Sequence, residues 1–203
     1  MISIIDYGVG NLRSVEKAFH FIGCEAKITS DENAILSSSA VVLPGVGAFA
    51  DAMISLEKTG MLCTVKKVID QGIPFLGICL GMQLLFEYSE EGGEKVAGLG
   101  ILKGGVKQFP LDMNLKIPHM GWNSLNVPKK SLLFESLPSN PYVYFVHSYY
   151  VSAAEKSTVA ATCNYGIEFD AAIEINNIFA TQFHPEKSGE VGLKILKNFA
   201  ALN

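Results

Sequence analysis

Cys79 is the residue whose surroundings carry the most chemistry. It stands in Gly77-Ile78-Cys79-Leu80-Gly81, with a glycine two places to either side of the thiol. This is the spacing of a nucleophile elbow, with sulfur in place of a hydroxyl. A sharp turn holds such a nucleophile in a strained backbone conformation, and the flanking glycines let neighbouring backbones approach without a Cβ clash. A helix starting at the turn would favour an anion at its N-terminus, and the Leu80 N–H would point toward an oxyanion formed there. The pentapeptide alone also fits a core cysteine between packing glycines.

A thiol nucleophile needs a base, and the chain has four histidines: His20, His119, His147 and His184. His20 falls late in an expected helix, His119 precedes Met120-Gly121-Trp122, and His147 lies within YFVHSYY. His184 ends the stretch NNIFATQF and is followed by Pro185 and Glu186. Glu186 can fold back onto the imidazole, giving the logic of a Cys–His–Glu triad. Taken alone, His-Pro-Glu also fits a strand-end histidine with a solvated carboxylate. Pro44-Gly45-Val46-Gly47 can aim backbone N–H groups at an anion and complete an oxyanion hole with Leu80. Gly8-Val9-Gly10 also follows an apolar run. Arg13 stands where a dinucleotide fingerprint needs its third glycine, so no such cofactor is expected.

The elements that must position these residues are legible in outline. Residues 2–5, 40–43 and 74–78 read as short buried strands. Leu12, Val15, Phe19 and Ile22 recur at helical spacing after Asn11, and a second helix is expected over about 61–70. The stretch GMQLLFEY (81–88) predicts a helix directly after Cys79. Alternating strands and helices imply a mainly parallel sheet, in which sites gather at the carboxyl ends of strands. Cys79 and His184 both have that address. From about 96 to 183 strands dominate: KGGVKQF, HMGWNSLNV, YVYFVHSYYV, TVAATC and NIFATQF. Residues 191–201 read as a closing helix with Ser188 as N-cap. The expectation is one α/β domain over residues 1–203: a mostly parallel or mixed central sheet flanked by helices, with a β-rich second half.

Composition narrows the function classes. The 203 residues are 49% hydrophobic with a net charge of −4. No long basic run is present, so nucleic acid is not an expected partner. No apolar run reaches the roughly 18–20 residues of a membrane span, and MISIIDYGVGN lacks the basic start of a secretory signal. A cytoplasmic location is expected. The four cysteines include no CxxC pair, and three of them are expected to pack as small buried hydrophobes. No metal or other cofactor is called for.

Together these pieces resemble the class I (triad) glutamine amidotransferases. GICLGMQ (77–83), PGVG (44–47) and HPE (184–186) occur in family order, and the resemblance spans essentially the whole chain. DYGVGNLRS (6–14), PGVGAF (44–49), GICLGMQLLF (77–86), PHMGWN (118–123), YFVHSYY (144–150) and ATQFHPEKSG (180–189) are similar, within that family, to the glutaminase subunits of imidazole glycerol phosphate synthases.

The resemblance implies roles for individual residues. Cys79 would be the nucleophile, His184 the base and acid, and Glu186 its orienter. Gly47 and Leu80 would supply the oxyanion hole. Gln83, Glu91, His147, Ser148 and Tyr149 would hold L-glutamine, and Asn11, His119, Trp122, Tyr144 and Lys187 would meet a partner. That partner would be a (β/α)8-barrel cyclase, in a heterodimer. The chain has little room for a second domain to use the ammonia, which also argues for a separate acceptor. Three rival readings remain at this stage: a thiol hydrolase acting on peptides or esters, a non-catalytic binding subunit of the same fold, and a related amidotransferase subunit serving another synthase, such as one amidating a sugar nucleotide.

Overall fold

The computed structural model describes residues 1–202. The first half contains β1 (Ile2–Ile5), α1 (Leu12–Phe21), β2 (Ala26–Thr29), α2 (Glu32–Leu36), β3 (Ala40–Gly45), α3 (Phe49–Lys58), α4 (Met61–Asp70), β4 (Phe75–Cys79) and α5 (Leu80–Gln83). The second half contains β5 (Phe86–Ser89), β6 (Val96–Ala97), β7 (Leu102–Gln108), β8 (His119–Ser124), β9 (Tyr142–His147), β10 (Tyr149–Ala153), β11 (Val159–Tyr165), β12 (Ile167–Ile175), β13 (Ile178–Thr181) and α6 (Gly189–Ala200).

One sheet runs in the order β2-β1-β3-β4-β13-β12-β10-β7-β5-β6, with β11 paired to β12 off this path. Pairings from β2 to β13 are parallel, and β12 then runs antiparallel to β13. β8 and β9 leave the sheet and form their own two-stranded ribbon. The α/β class with a β-rich second half is therefore as expected.

Apolar side chains cover both faces of the parallel half. Ile4, Val42 and Ile78 join Val15 and Phe19 of α1 and Leu196 and Phe199 of α6 in one cluster. Ile5, Val41 and Leu43 join Phe49 and Leu56 of α3 and Val65 and Val68 of α4 in the other. Alternation along each strand feeds both layers, and each fully buried Phe, Ile or Leu contributes about 1.5–3 kcal/mol. This double cover fixes the strands whose carboxyl ends form the site.

Three local expectations are corrected. The helix predicted over 81–88 is a single turn, Leu80–Gln83, and Phe86–Ser89 is a strand. Phe86 and Ser89 are buried while Glu87 is exposed, and β5 pairs in parallel with β7. Pairing within the sheet overrides the helical preference of the Leu-rich stretch. Ser188 does not cap α6 with its side chain. Its hydroxyl donates to the His184 carbonyl at 2.6 Å and accepts from the Tyr144 N–H at 3.0 Å. Of the three cysteines expected to be buried, only Cys163 is; Cys24 is partly covered and Cys63 is exposed. Among the described residues, no helix is long and apolar enough to cross a membrane.

Candidate active site

Cys79 ends β4 with φ 55° and ψ −108°, a left-handed conformation for a residue with a side chain. Such backbone strain persists only where the surroundings over-determine it. Here they do. A Cβ on Gly81 would lie 1.9 Å from the Leu43 carbonyl oxygen, and one on Gly77 would lie 2.7 Å from the Gly81 carbonyl. The α5 turn is thus pressed against β3 and β4, and the flanking glycines allow it.

β13 lies beside β4, with Thr181 opposite Ile78. The chain leaving β13 therefore passes the Cys79 end of the sheet. It carries His184, whose Nδ1 donates to Glu186 Oε1 at 2.8 Å. Both side chains are shut from solvent, at 2% and 1% exposure. The His184 N–H donates to the Tyr144 carbonyl, and its carbonyl accepts from Ser188 and Lys187, so the turn is held on both sides. The buried His184 Nε2 makes no hydrogen bond of ordinary geometry. Cys79 is within electrostatic reach of the ring. Burial opposes charge on the imidazole, but Cys79 and Glu186 outweigh it and push the pKa up to about 9.

A cavity of about 290 Å³ opens over this group. That volume lies at the small end of ligand pockets and suits a small molecule. Cys79, Leu80 and His184 form one side, and Val46 and Gly47 another. Gln83, Glu91, His147, Ser148 and Tyr149 complete the wall, so all five residues that the resemblance places around a substrate do line it.

The loop from Pro44 to Ala48 is tied at both ends. Tyr7, which lies at the end of β1, donates its buried hydroxyl to the Pro44 carbonyl at 3.0 Å. Burial, and next the charge on Cys79, push the Tyr7 pKa up, so this hydroxyl stays a donor. Glu91 Oε2 accepts from the Phe49 N–H at 2.7 Å, at the start of α3. Between these ties Val46 is exposed, and Gly47 takes φ +98°.

His147 is a different kind of histidine. Its Nδ1 donates to the Tyr149 carbonyl at 2.9 Å, because a carbonyl can only accept. Its Nε2 then accepts from His119 Nδ1 at 2.9 Å, and His119 Nε2 faces the Asn123 amide at 3.4 Å. Both rings are neutral in this chain of donors. Burial lowers His147 to about 3 and His119 to about 4.

The remaining expected residues divide. Trp122 and Tyr144 pair across the β8–β9 ribbon, with ring centroids 6.2 Å apart, and Trp122 is exposed. Lys187 is exposed and Asn11 half-buried. His119 is not on that surface: it is buried, with its ring stacked on Tyr165 and Phe145 at 4.0 and 4.7 Å. Sequence reasoning missed Tyr7 and Gln182. Gln182 is wholly buried and directs its amide at Cys79 Sγ from 3.7 Å. Both follow strands at the carboxyl edge, which was the signal available.

Known proteins resemble this chain along nearly its whole length. An imidazole glycerol phosphate synthase subunit HisH of Caldanaerobacter subterraneus subsp. tengcongensis is 57% identical over 202 residues, covering 100% of this chain and 98% of that protein. The subunit of the same name from Moorella thermoacetica is 50% identical, covering 99% and 94%. Among solved structures, a glutamine amidotransferase crystal structure matches with a TM-score of 0.75 at 20% identity over 99% of both chains. The PurLQS structure from Thermotoga maritima matches with a TM-score of 0.75 at 18% identity, over 98% of this chain and 96% of that one. These last two speak for the fold. Residues 3–202 match the family described as glutamine amidotransferase class-I, and the chain belongs to that family.

Proposed function

We propose that this chain is the glutaminase subunit of an imidazole glycerol phosphate synthase. The observation that carries the chemistry is the buried His184–Glu186 pair set against a strained Cys79 at the floor of a small cavity. The choice of synthase is supported by the relatives so named, which match along nearly their whole length.

The Cys79 sulfur attacks the side-chain amide carbon of L-glutamine. A C–S bond forms, and the carbonyl oxygen becomes an oxyanion that accepts from the N–H groups of Gly47 and Leu80. His184 gives its proton to the amide nitrogen, the C–N bond breaks, and ammonia leaves a γ-glutamyl thioester. Water then gives a proton to His184 and attacks the thioester. Glutamate departs, and the sulfur leaves as thiolate beside the imidazolium, as at the start. Glu186 holds the ring and stabilises its charged form through the cycle. Gln83, Glu91, His147, Ser148 and Tyr149 hold the substrate, with His147 as a wall and not a base.

The ammonia passes to a cyclase partner, a (β/α)8-barrel, which covers the face carrying Asn11, Trp122, Tyr144 and Lys187. The partner makes imidazole glycerol phosphate and an aminoimidazole carboxamide ribonucleotide, in the cytoplasm. The loop between the Tyr7 and Glu91 ties is a two-state element: one peptide flip at Val46–Gly47 makes or withdraws an oxyanion donor, and the partner biases it.

Glutamate release from glutamine tests this reading. It is measured for the chain alone, with the cyclase, and with the cyclase plus its ribonucleotide substrate, with Cys79→Ala as control. A large rise only in the full mixture, absent in the variant, is expected. Activity indifferent to the cyclase would assign the chain to another synthase, and no activity in any mixture would refute the glutaminase.

A further inference from the structure

Gln182 has no part in the steps above, yet it is the wholly buried side chain that points at the reacting atom. Thr181 ends β13 opposite Ile78, so the residue that follows the strand comes beside Cys79. The Gln182 backbone is fixed by its N–H, which donates to the Ala171 carbonyl at 2.9 Å. Its side-chain amide lies 3.7 Å from Cys79 Sγ.

Which end of that amide faces the sulfur follows from its neighbours. The Tyr149 carbonyl can only accept, so the Gln83 group 3.0 Å from it is the NH2. The same NH2 lies 3.0 Å from the Gln182 side chain, which must therefore present its oxygen there. The other end of Gln182, at the sulfur, is then its NH2. Flipping it would set oxygen against sulfur and NH2 against NH2.

We propose that Gln182 is a catalytic hydrogen-bond donor to the Cys79 sulfur, and that Gln83 is the positioning residue that keeps its NH2 turned that way. The inference rests on the reading of Cys79 as nucleophile. A donor to sulfur strengthens as the sulfur becomes anionic, and a buried site of low dielectric strengthens it further. The sulfur is anionic twice in the cycle, before it attacks and when the thioester is cleaved. Gln182 therefore favours the states on either side of the thioester, at a fixed position that needs no reorganisation.

The test follows alkylation of Cys79 by iodoacetamide against pH in the full chain, resolved by peptide mass spectrometry because the exposed Cys63 also reacts. Gln182→Met keeps the length and apolar fit but has no donor. It is expected to slow Cys79 alkylation about tenfold at neutral pH, with the gap closing at strongly alkaline pH. Gln83→Met is expected to slow it less, and the double variant no more than Gln182→Met alone. A Gln182→Met profile superimposed on the wild type overturns the proposal. So does a gap of equal size at every pH, which marks a change of access only.

A second measurement needs no variant. The side-chain amide resonances of Gln182 in the wild type should move when Cys79 is alkylated, and unmoved resonances also overturn the proposal. A glutamine-mimicking diazoketone separates the two levels. If it fails to label wild-type Cys79, the nucleophile reading falls. If it labels Cys79 while the Gln182→Met profile is unchanged, only the role of Gln182 falls.

Discussion

His184 and the His119–His147 pair are built from the same residue type and are buried to a similar degree, with His184 and His147 lining one cavity, yet they treat a proton in opposite ways. His184 meets a carboxylate at 2.8 Å and a thiol, and its pKa rises to about 9. His147 meets a carbonyl, a second histidine and aromatic rings, and burial takes it down to about 3. Burial alone disfavours the cation in both places. What differs is whether an anion stands within reach. His184 has a buried carboxylate against its ring, and His147 has none.

The largest effect should come from erasing that difference. Glu186→Gln leaves the shape but removes the carboxylate, so His184 should hold its proton less tightly, with Cys79 left to oppose burial. Glutamine hydrolysis by the complex is expected to fall by about 10³–10⁴-fold, while KM moves little. A fall in kcat under tenfold would place the acid elsewhere.

The histidine pair can be broken without replacing Cys79, His184 or Glu186. His119→Phe fits the stack on Tyr165 and Phe145 but leaves His147 Nε2 buried with no donor, at a cost of about 1–3 kcal/mol. Adding His147→Phe removes the orphaned acceptor. The double variant is expected to lose less stability, by denaturant unfolding, than the two single losses added together. Simple additivity would mean that the two rings are not coupled.

The two regions also give the stability curve two legs of opposite sign. His119 and His147 have lowered pKa values in the folded state, so the unfolded chain binds more protons between about 6.5 and their folded values near 4 and 3. Their contribution is complete above pH of about 6.5 and is lost as pH falls. His184 is raised, so its contribution is complete below about 6.5 and is lost as pH rises through its folded value near 9. Thermal unfolding across pH should show both legs. The acid leg should shrink when both His119 and His147 are replaced by Phe, and the alkaline leg should shrink in Glu186→Gln.

The smallest effect concerns the loop that faces both walls. Tyr7→Phe removes one hydrogen bond to Pro44 and should lower glutamine turnover about two- to tenfold. Cys79 alkylation should change by a smaller factor than turnover, because Tyr7 is within electrostatic reach of the sulfur but does not hold it. An equal change in both would show that loop and nucleophile move as one unit.

The sequence made the elbow and the strand-end histidine legible because both depend on local spacing. Gly77 and Gly81 around Cys79, and Pro185 and Glu186 after His184, announce their turns within a few residues. Gln182 and Tyr7 were hidden because their roles depend on β13 lying against β4, and β1 against β3, which no local pattern states. The stretch 81–88 misled because Leu84, Leu85 and Phe86 suit either element, and pairing with β7 decides between them. The misplacing of His119 was avoidable. In a strand, residues an odd number apart face opposite ways, so His119 and Trp122 do not share a surface. The same rule separates Tyr144 from His147. The ribbon thus turns Trp122 and Tyr144 outward and both histidines inward, His147 to the cavity wall and His119 into the aromatic stack behind it.

The most direct test is a nitrogen-15 titration of the imidazole side chains in the wild-type chain, with Glu186→Gln and Cys79→Ala beside it. At neutral pH His184 should carry protons on both nitrogens, while His147 is neutral with its proton on Nδ1. His184 should lose its extra proton at lower pH in either variant. A neutral His184 beside a charged His147 at neutral pH would contradict the assignment of the working proton, and with it the triad.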